Sequence, residues 1–134
     1  SNFVQGVLQP RNFDVLLYEL ALGADPDVYA YWHSSQASAI GYNFSNYSNQ
    51  LSDAALASAR TRLESNLRMA KYAQFVRQWL SDVPAIALYQ ASSEYLVNTN
   101  AYIVKPKGSL PELSDRYARV SEWSVSPATV YKTP

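Results

Sequence analysis

The chain has 134 residues, 48% of them apolar and only 16% charged, which suits one globular domain with a real core and is too short for two. Eleven basic residues balance eleven acidic ones, so no global field favours nucleic acid or an anionic membrane, and nucleic acid is not expected as a partner. With no cysteine, disulfide scaffolds, zinc knuckles and thiol chemistry are excluded, and no run approaches the ~20 apolar residues of a membrane span.

Residues 3–12 read as the end of a helix or loop closed by Pro10 and Asn12. Phe13, Val15, Leu16, Leu17 and Leu20 then form a nearly continuous apolar run, which predicts a strand over 13–20 covered on both faces. After a turn at 21–25, Asp25, Pro26 and Asp27 suit a cap, a first helical turn and a complement to the helix dipole, so a helix is predicted over 26–33. Residues 34–50 carry the Ser, Asn, Gly and Tyr of a loop whose side chains bond their own backbone.

Ser52 marks a second helix start, with Leu51 placed as a staple, Asp53 in the first turn, and Leu56, Ala59 and Leu63 at helical spacing over 53–63. A longer helix is predicted over 65–81. Its apolar stripe is Met69, Tyr72, Ala73, Val76, Trp79 and Leu80, and Asp82-Val83-Pro84 stops it. Further strands are predicted at 84–89 and 94–98, sharing one mixed sheet with 13–20, and a short extended piece at 101–104. The expected fold class is α/β, as mixed α+β layers: a small mixed sheet covered by helices. Residues 1–104 make the main body. Residues 105–134, rich in proline, form an irregular tail packing on the same domain and anchored by Trp123.

Groups able to carry catalysis are few. His33 is the single histidine and would have to serve any Ser-His-Asp relay, yet a helix end beside two serines explains it equally well. Asp25 and Asp27 are spaced as capping residues more simply than as a glycosidase pair, and no metal or other cofactor is expected. The four glycines are too scattered to cradle a phosphate. Arg60, Arg62, Arg68, Lys71 and Arg77 make the helical pair basic, which fits a solvated face. Two adjacent matches to the glycosylation pattern, at Asn43 and Asn46, lie in an Asn/Ser loop where chance accounts for them.

The ordered set Asn12-Phe13-Asp14-Val15-Leu16-Leu17-Tyr18, Asp25-Pro26-Asp27-Val28-Tyr29, Trp32-His33-Ser34-Ser35-Gln36 and Asn43-Phe44-Ser45-Asn46-Tyr47-Ser48-Asn49 resembles the carboxyl-terminal part of the family five extracellular solute-binding proteins of ABC importers. Arg68 and Tyr72, the run Val83-Pro84-Ala85-Ile86-Ala87-Leu88-Tyr89, Tyr95 and Val97, and Asp115-Arg116-Tyr117 with Val120 and Trp123 continue the likeness in order. The resemblance implies part of a periplasmic-binding-protein-like lobe within a longer protein, which captures a peptide or other small solute and delivers it to an ABC permease. It implies an extracellular or periplasmic setting, anchored to the membrane as a lipoprotein through a preceding amino-terminal region. In the family, the segment ahead of the "DP" turn lines the ligand cavity, which places Tyr18, Glu19, Leu20, Ala21, Leu22, Gly23 and Asp25 beside the solute. Well-known peptide binders carry an aspartate there to pair with the peptide's free amine, whereas this chain has Leu22 and Gly23. Either Glu19 reads the amine or the ligand is not a free-amine peptide. A buried ammonium without a partner costs several kcal/mol. The alternative function is a non-catalytic interaction module that self-associates as a homodimer of the fragment; a hydrolase is the third reading.

Overall fold

The computed structural model describes residues 2–23, 25–92, 94–105, 110 and 112–125. The chain divides into two compact units, Ser1–Leu88 and Tyr89–Pro134. Its architecture is mixed, with helices dominating and one small two-stranded sheet.

The first unit is built on a helical hairpin. After a π-helical turn at Val4–Leu8, the helices are α1 (Tyr29–Trp32), α2 (Gln50–Arg60) and α3 (Ser65–Asp82). The start of α2 is set by Asn49, whose side-chain oxygen accepts from the Leu51 and Ser52 backbone N–H groups at 2.9 and 3.2 Å, satisfying donors that a helix N-terminus leaves free. Ser52 is not the cap expected from the sequence. It lies fully buried one turn in, with its hydroxyl 2.7 Å from the Tyr47 hydroxyl.

Ala55, Leu56 and Ala59 of α2 pack on Tyr72 and Phe75 of α3 and on Tyr47, with Val28, Tyr29, Trp32 and Trp79 partly buried against them. The 3,1,3 spacing of Ser52, Ala55, Leu56 and Ala59 is one face of a helix, and alanines on that face let α3 approach closely. The stripe expected on α3 needs correction. Phe75 is buried beside Tyr72, while Met69, Val76 and Leu80 are exposed. Leu63 lies beyond the end of α2 and is fully exposed, so it belongs to no stripe. The helix α3 closes on Val83, which takes left-handed angles (φ 48°, ψ 53°) and returns its N–H to the Trp79 carbonyl. Pro84 follows, in keeping with the expected stop.

The strands predicted at 13–20, 84–89 and 94–98 are not formed; these segments carry no helix or strand and join no ladder. The reason is physical: a strand holds its backbone groups only by pairing, and no neighbouring strand lies beside these segments among the described residues. Many of their apolar side chains stay in solvent, with Val15 and Leu96 each 90% exposed, while Phe13, Leu16 and Leu20 are half-buried. The expected helix over 26–33 contracts to α1: Val28 takes the N-cap position without a side-chain cap, and the Asp27 carboxylate just before it accepts from the Tyr29 N–H at 3.0 Å.

In the second unit, β1 (Ala101–Tyr102) pairs antiparallel with β2 (Ser124–Val125) in the register Ala101 to Val125 and Tyr102 to Ser124. Two short 3-10 turns, Leu113–Tyr117 and Val120–Glu122, precede β2. They give the tail more regular structure than expected, and Glu112 with Asp115 makes a reciprocal capping box on the first of them. Trp123 packs on Tyr117 at 5.6 Å, and Tyr117 on Tyr95 at 6.4 Å. The expectation for 106–109, 111 and 126–134 lies outside the described residues.

Candidate functional site

The segment predicted to line a ligand cavity is tethered at both ends. At its start, Arg11 adopts left-handed angles (φ 60°) and its carbonyl accepts from the Phe13 N–H at 3.0 Å. The Arg11 guanidinium reaches the carbonyls of Leu8 and Ser38 at 2.8 Å and of Gly41 at 3.1 Å, and lies over the Phe44 ring at 4.9 Å. A β-carbon on Gly41 would collide with the Gln36 carbonyl, so only glycine allows this close approach.

The loop receiving Arg11 is held by Asn43, which is completely buried. Its amide donates to the His33 and Tyr47 carbonyls at 3.2 and 2.8 Å, and its oxygen accepts from the Tyr47 N–H and the Ser45 hydroxyl at 3.1 Å. Every polar atom of this side chain is satisfied. An acceptor role for Asn43 in glycosylation is incompatible with that burial. Tyr47 continues the link by donating its hydroxyl hydrogen to Asp82 at 2.7 Å, and Asp82 also receives Asn49 at 2.7 Å and Gln78 at 2.9 Å.

At the far end of the segment, Asp25 meets Arg68 of α3 at 2.5 Å and accepts from the Asp27 N–H at 2.9 Å. Arg68 beside it holds the Asp25 carboxyl below its ordinary value, with the Asp27 N–H helping and partial burial opposing. Asp27 pairs with Arg60 of α2 at 2.7 Å, and that guanidinium also lies over the Tyr29 ring at 4.4 Å. Both carboxylates of the turn are thus engaged by arginines from the helical hairpin.

Between these tethers, Tyr18 is 43% exposed and meets Phe44 edge-on at 4.9 Å. Phe44 also meets Tyr42 at 6.3 Å, and Tyr42 meets Tyr31 at the same separation. The Tyr31 hydroxyl donates to the Ala21 carbonyl at 3.2 Å, so one aromatic cluster runs along the segment. Leu20 is half-buried; Glu19, Ala21, Leu22 and Gly23 are exposed, and a β-carbon on Gly23 would meet nothing. The sequence reading named Tyr18 and Asp25 but missed Arg11, Tyr31, Tyr42 and Phe44. The high tyrosine count was the available signal, and only the folded loop shows which tyrosines converge.

The residues around His33 are arranged as a helix-end network. Nδ1 of His33 accepts from the Ser35 N–H at 3.1 Å, and Asp53 accepts from the Ser34 N–H at 2.9 Å and from its hydroxyl at 2.5 Å. A serine relay needs Nδ1–H to donate to the carboxylate, which this geometry does not provide. Among the described residues, no group of three or more His, Asp or Glu side chains is placed to hold a metal ion, and no helix is long and apolar enough to cross a membrane. A shallow depression of about 570 Å³ lies in the second unit against β1 and β2, lined by Thr99, Asn100, Tyr102 and Ser124 among others.

No family model matches the chain, and neither a characterised protein nor a solved structure matches it significantly.

Proposed function

We propose that the chain is part of the solute-binding component of an ABC importer, contributing one wall of the cleft in which a small solute is held and belonging to a periplasmic-binding-protein-like lobe. The observation that carries this reading is the segment 13–23. It is apolar enough for a protein interior, yet it forms no helix or strand and stays largely exposed while Arg11 anchors its start and the Asp25–Arg68 and Asp27–Arg60 pairs anchor its end. A tethered, uncovered backbone of this kind suits a surface that a solute and a second lobe close upon. Binding then acts through its differential contacts with the open and closed states.

The test is uptake. A strain in which the encoding gene is deleted should lose import of at least one labelled solute from a panel of oligopeptides and oligosaccharides, and recover it on complementation. Unchanged import across the panel overturns the proposal.

A second reading, a non-catalytic module that pairs with another copy, is favoured by the uncovered side chains of Val15, Leu17, Ile86, Leu88 and Leu96. Light scattering across a concentration series separates the two, since only the second requires a defined dimer.

A further inference from the structure

The charges along the candidate wall are already paired or solvated. Asp25 and Asp27 are neutralised by Arg68 and Arg60, while the terminal nitrogens of Arg11 donate to backbone carbonyls and its Nε is buried without a partner. Asp14 and Glu19 are exposed to water. No carboxylate in this wall is left buried and unpaired, so nothing in it demands a cationic ligand. What it offers instead is the ring cluster of Tyr18, Phe44, Tyr42 and Tyr31, of which Tyr18 and Tyr42 are 43% and 54% exposed.

Tyrosine rings present an apolar face together with a hydroxyl that both donates and accepts. That pairing suits a ligand having flat C–H faces edged by hydroxyls and carrying no charge. The geometry points to an oligosaccharide as the solute class, its pyranose faces laid on Tyr18 and Tyr42 and its hydroxyls reaching phenols and the open backbone of 19–23. This inference rests on the solute-binding reading above and names the ligand of that same wall. A free-amine peptide fits less well, because its ammonium would displace an arginine from Asp25 or rely on a solvated Glu19.

Chemical-shift perturbation on the intact chain, with cellotetraose and trialanine as probes up to millimolar concentration, tests it. Cellotetraose should move the ring signals of Tyr18, Tyr42 and Phe44, with binding at least about tenfold tighter than trialanine. Tyr18→Ala and Tyr42→Ala, each checked for a native spectrum, should weaken it about threefold to tenfold, the scale of one aromatic contact. Glu19→Gln should weaken trialanine more than cellotetraose, since only an ammonium calls for the anion. Tighter trialanine binding that Glu19→Gln abolishes overturns the sugar assignment while leaving solute binding intact. Absence of perturbation at these rings by cellotetraose overturns it as well, and the uptake assay then decides separately whether solute binding itself stands.

Discussion

Asp25 and Arg68 are 43 residues apart in sequence and 2.5 Å apart in space, joining the turn before α1 to the first turn of the long helix α3. This pair, with Asp27 and Arg60, fixes where segment 13–23 ends. The aspartates that the sequence presents as helix caps therefore also act as tethers, and Asp25 uses its backbone-bonding capacity on Asp27 while its charge is met by α3.

The Asp25 titration should report this tether. Its carboxyl is held below the ordinary value of about 3.9, chiefly by the hydrogen bond from Arg68. With the folded-state value depressed, the stabilisation is present above the unfolded value and is lost as pH falls through the folded one. Side-chain carboxyl NMR should place the Asp25 midpoint below that of an unpaired aspartate, and Arg68→Ala should move it upward. Added salt should have a smaller effect in the same direction, because the pair is partly exposed. A midpoint unchanged by Arg68→Ala would show that the pair does not persist in solution.

Asn43→Ala should destabilise the first unit by about 2–4 kcal/mol, because it leaves the Tyr47 N–H and carbonyl without partners in a buried place. Asn43→Asp should be no better, since a carboxylate cannot donate to the His33 and Tyr47 carbonyls. Urea denaturation followed by Trp fluorescence measures both, and a loss under about 0.5 kcal/mol would refute the latch.

Two leucines of similar sequence appearance should behave oppositely. Leu56 is wholly buried between α2 and α3, so Leu56→Ala should cost about 2–5 kcal/mol. Leu63 is fully exposed past the end of α2, so Leu63→Ala should stay within about 0.5 kcal/mol. Equal losses in urea denaturation would mean that the helix continues to Leu63.

That contrast shows what was legible in the sequence. The bounds of α3 were readable because a polar start and the Pro84 stop are local signals. The onset of α2 was read three residues late, since Ser52 is a good cap in isolation and only its bond to Tyr47 explains its burial. On α3, choosing Val76 over Phe75 turned the stripe by one residue, because apolar residues occur all round that helix and only the position of α2 selects a face. The strands failed for another reason: Val15-Leu16-Leu17 and Ile86-Ala87-Leu88 have strand composition, but composition cannot supply the partner that a ladder requires. In the candidate wall, Tyr18 and Asp25 were readable from order along the chain, whereas Phe44 and Arg11 meet them only through the loop that Asn43 holds.

Tyr47 should set the alkaline limit of the first unit. Its hydroxyl is buried between Ser52 and Asp82, at 2.7 Å from each, and burial pushes its pKa up, with Asp82 adding to the rise and Ser52 opposing it. A folded-state value raised above the unfolded value of about 10 means that the stabilisation is complete below that pH and is lost as pH rises through the folded value. Urea midpoints followed from neutral pH to about pH 11 should therefore fall steeply at the alkaline end. Tyr47→Phe should lower neutral stability by about 1–2 kcal/mol, since Ser52 and Asp82 lose a partner, and should flatten the alkaline fall. Some dependence should survive in the variant, because burial raises the Tyr72 hydroxyl as well. An alkaline fall as steep in Tyr47→Phe as in the parent would place the titrating group elsewhere.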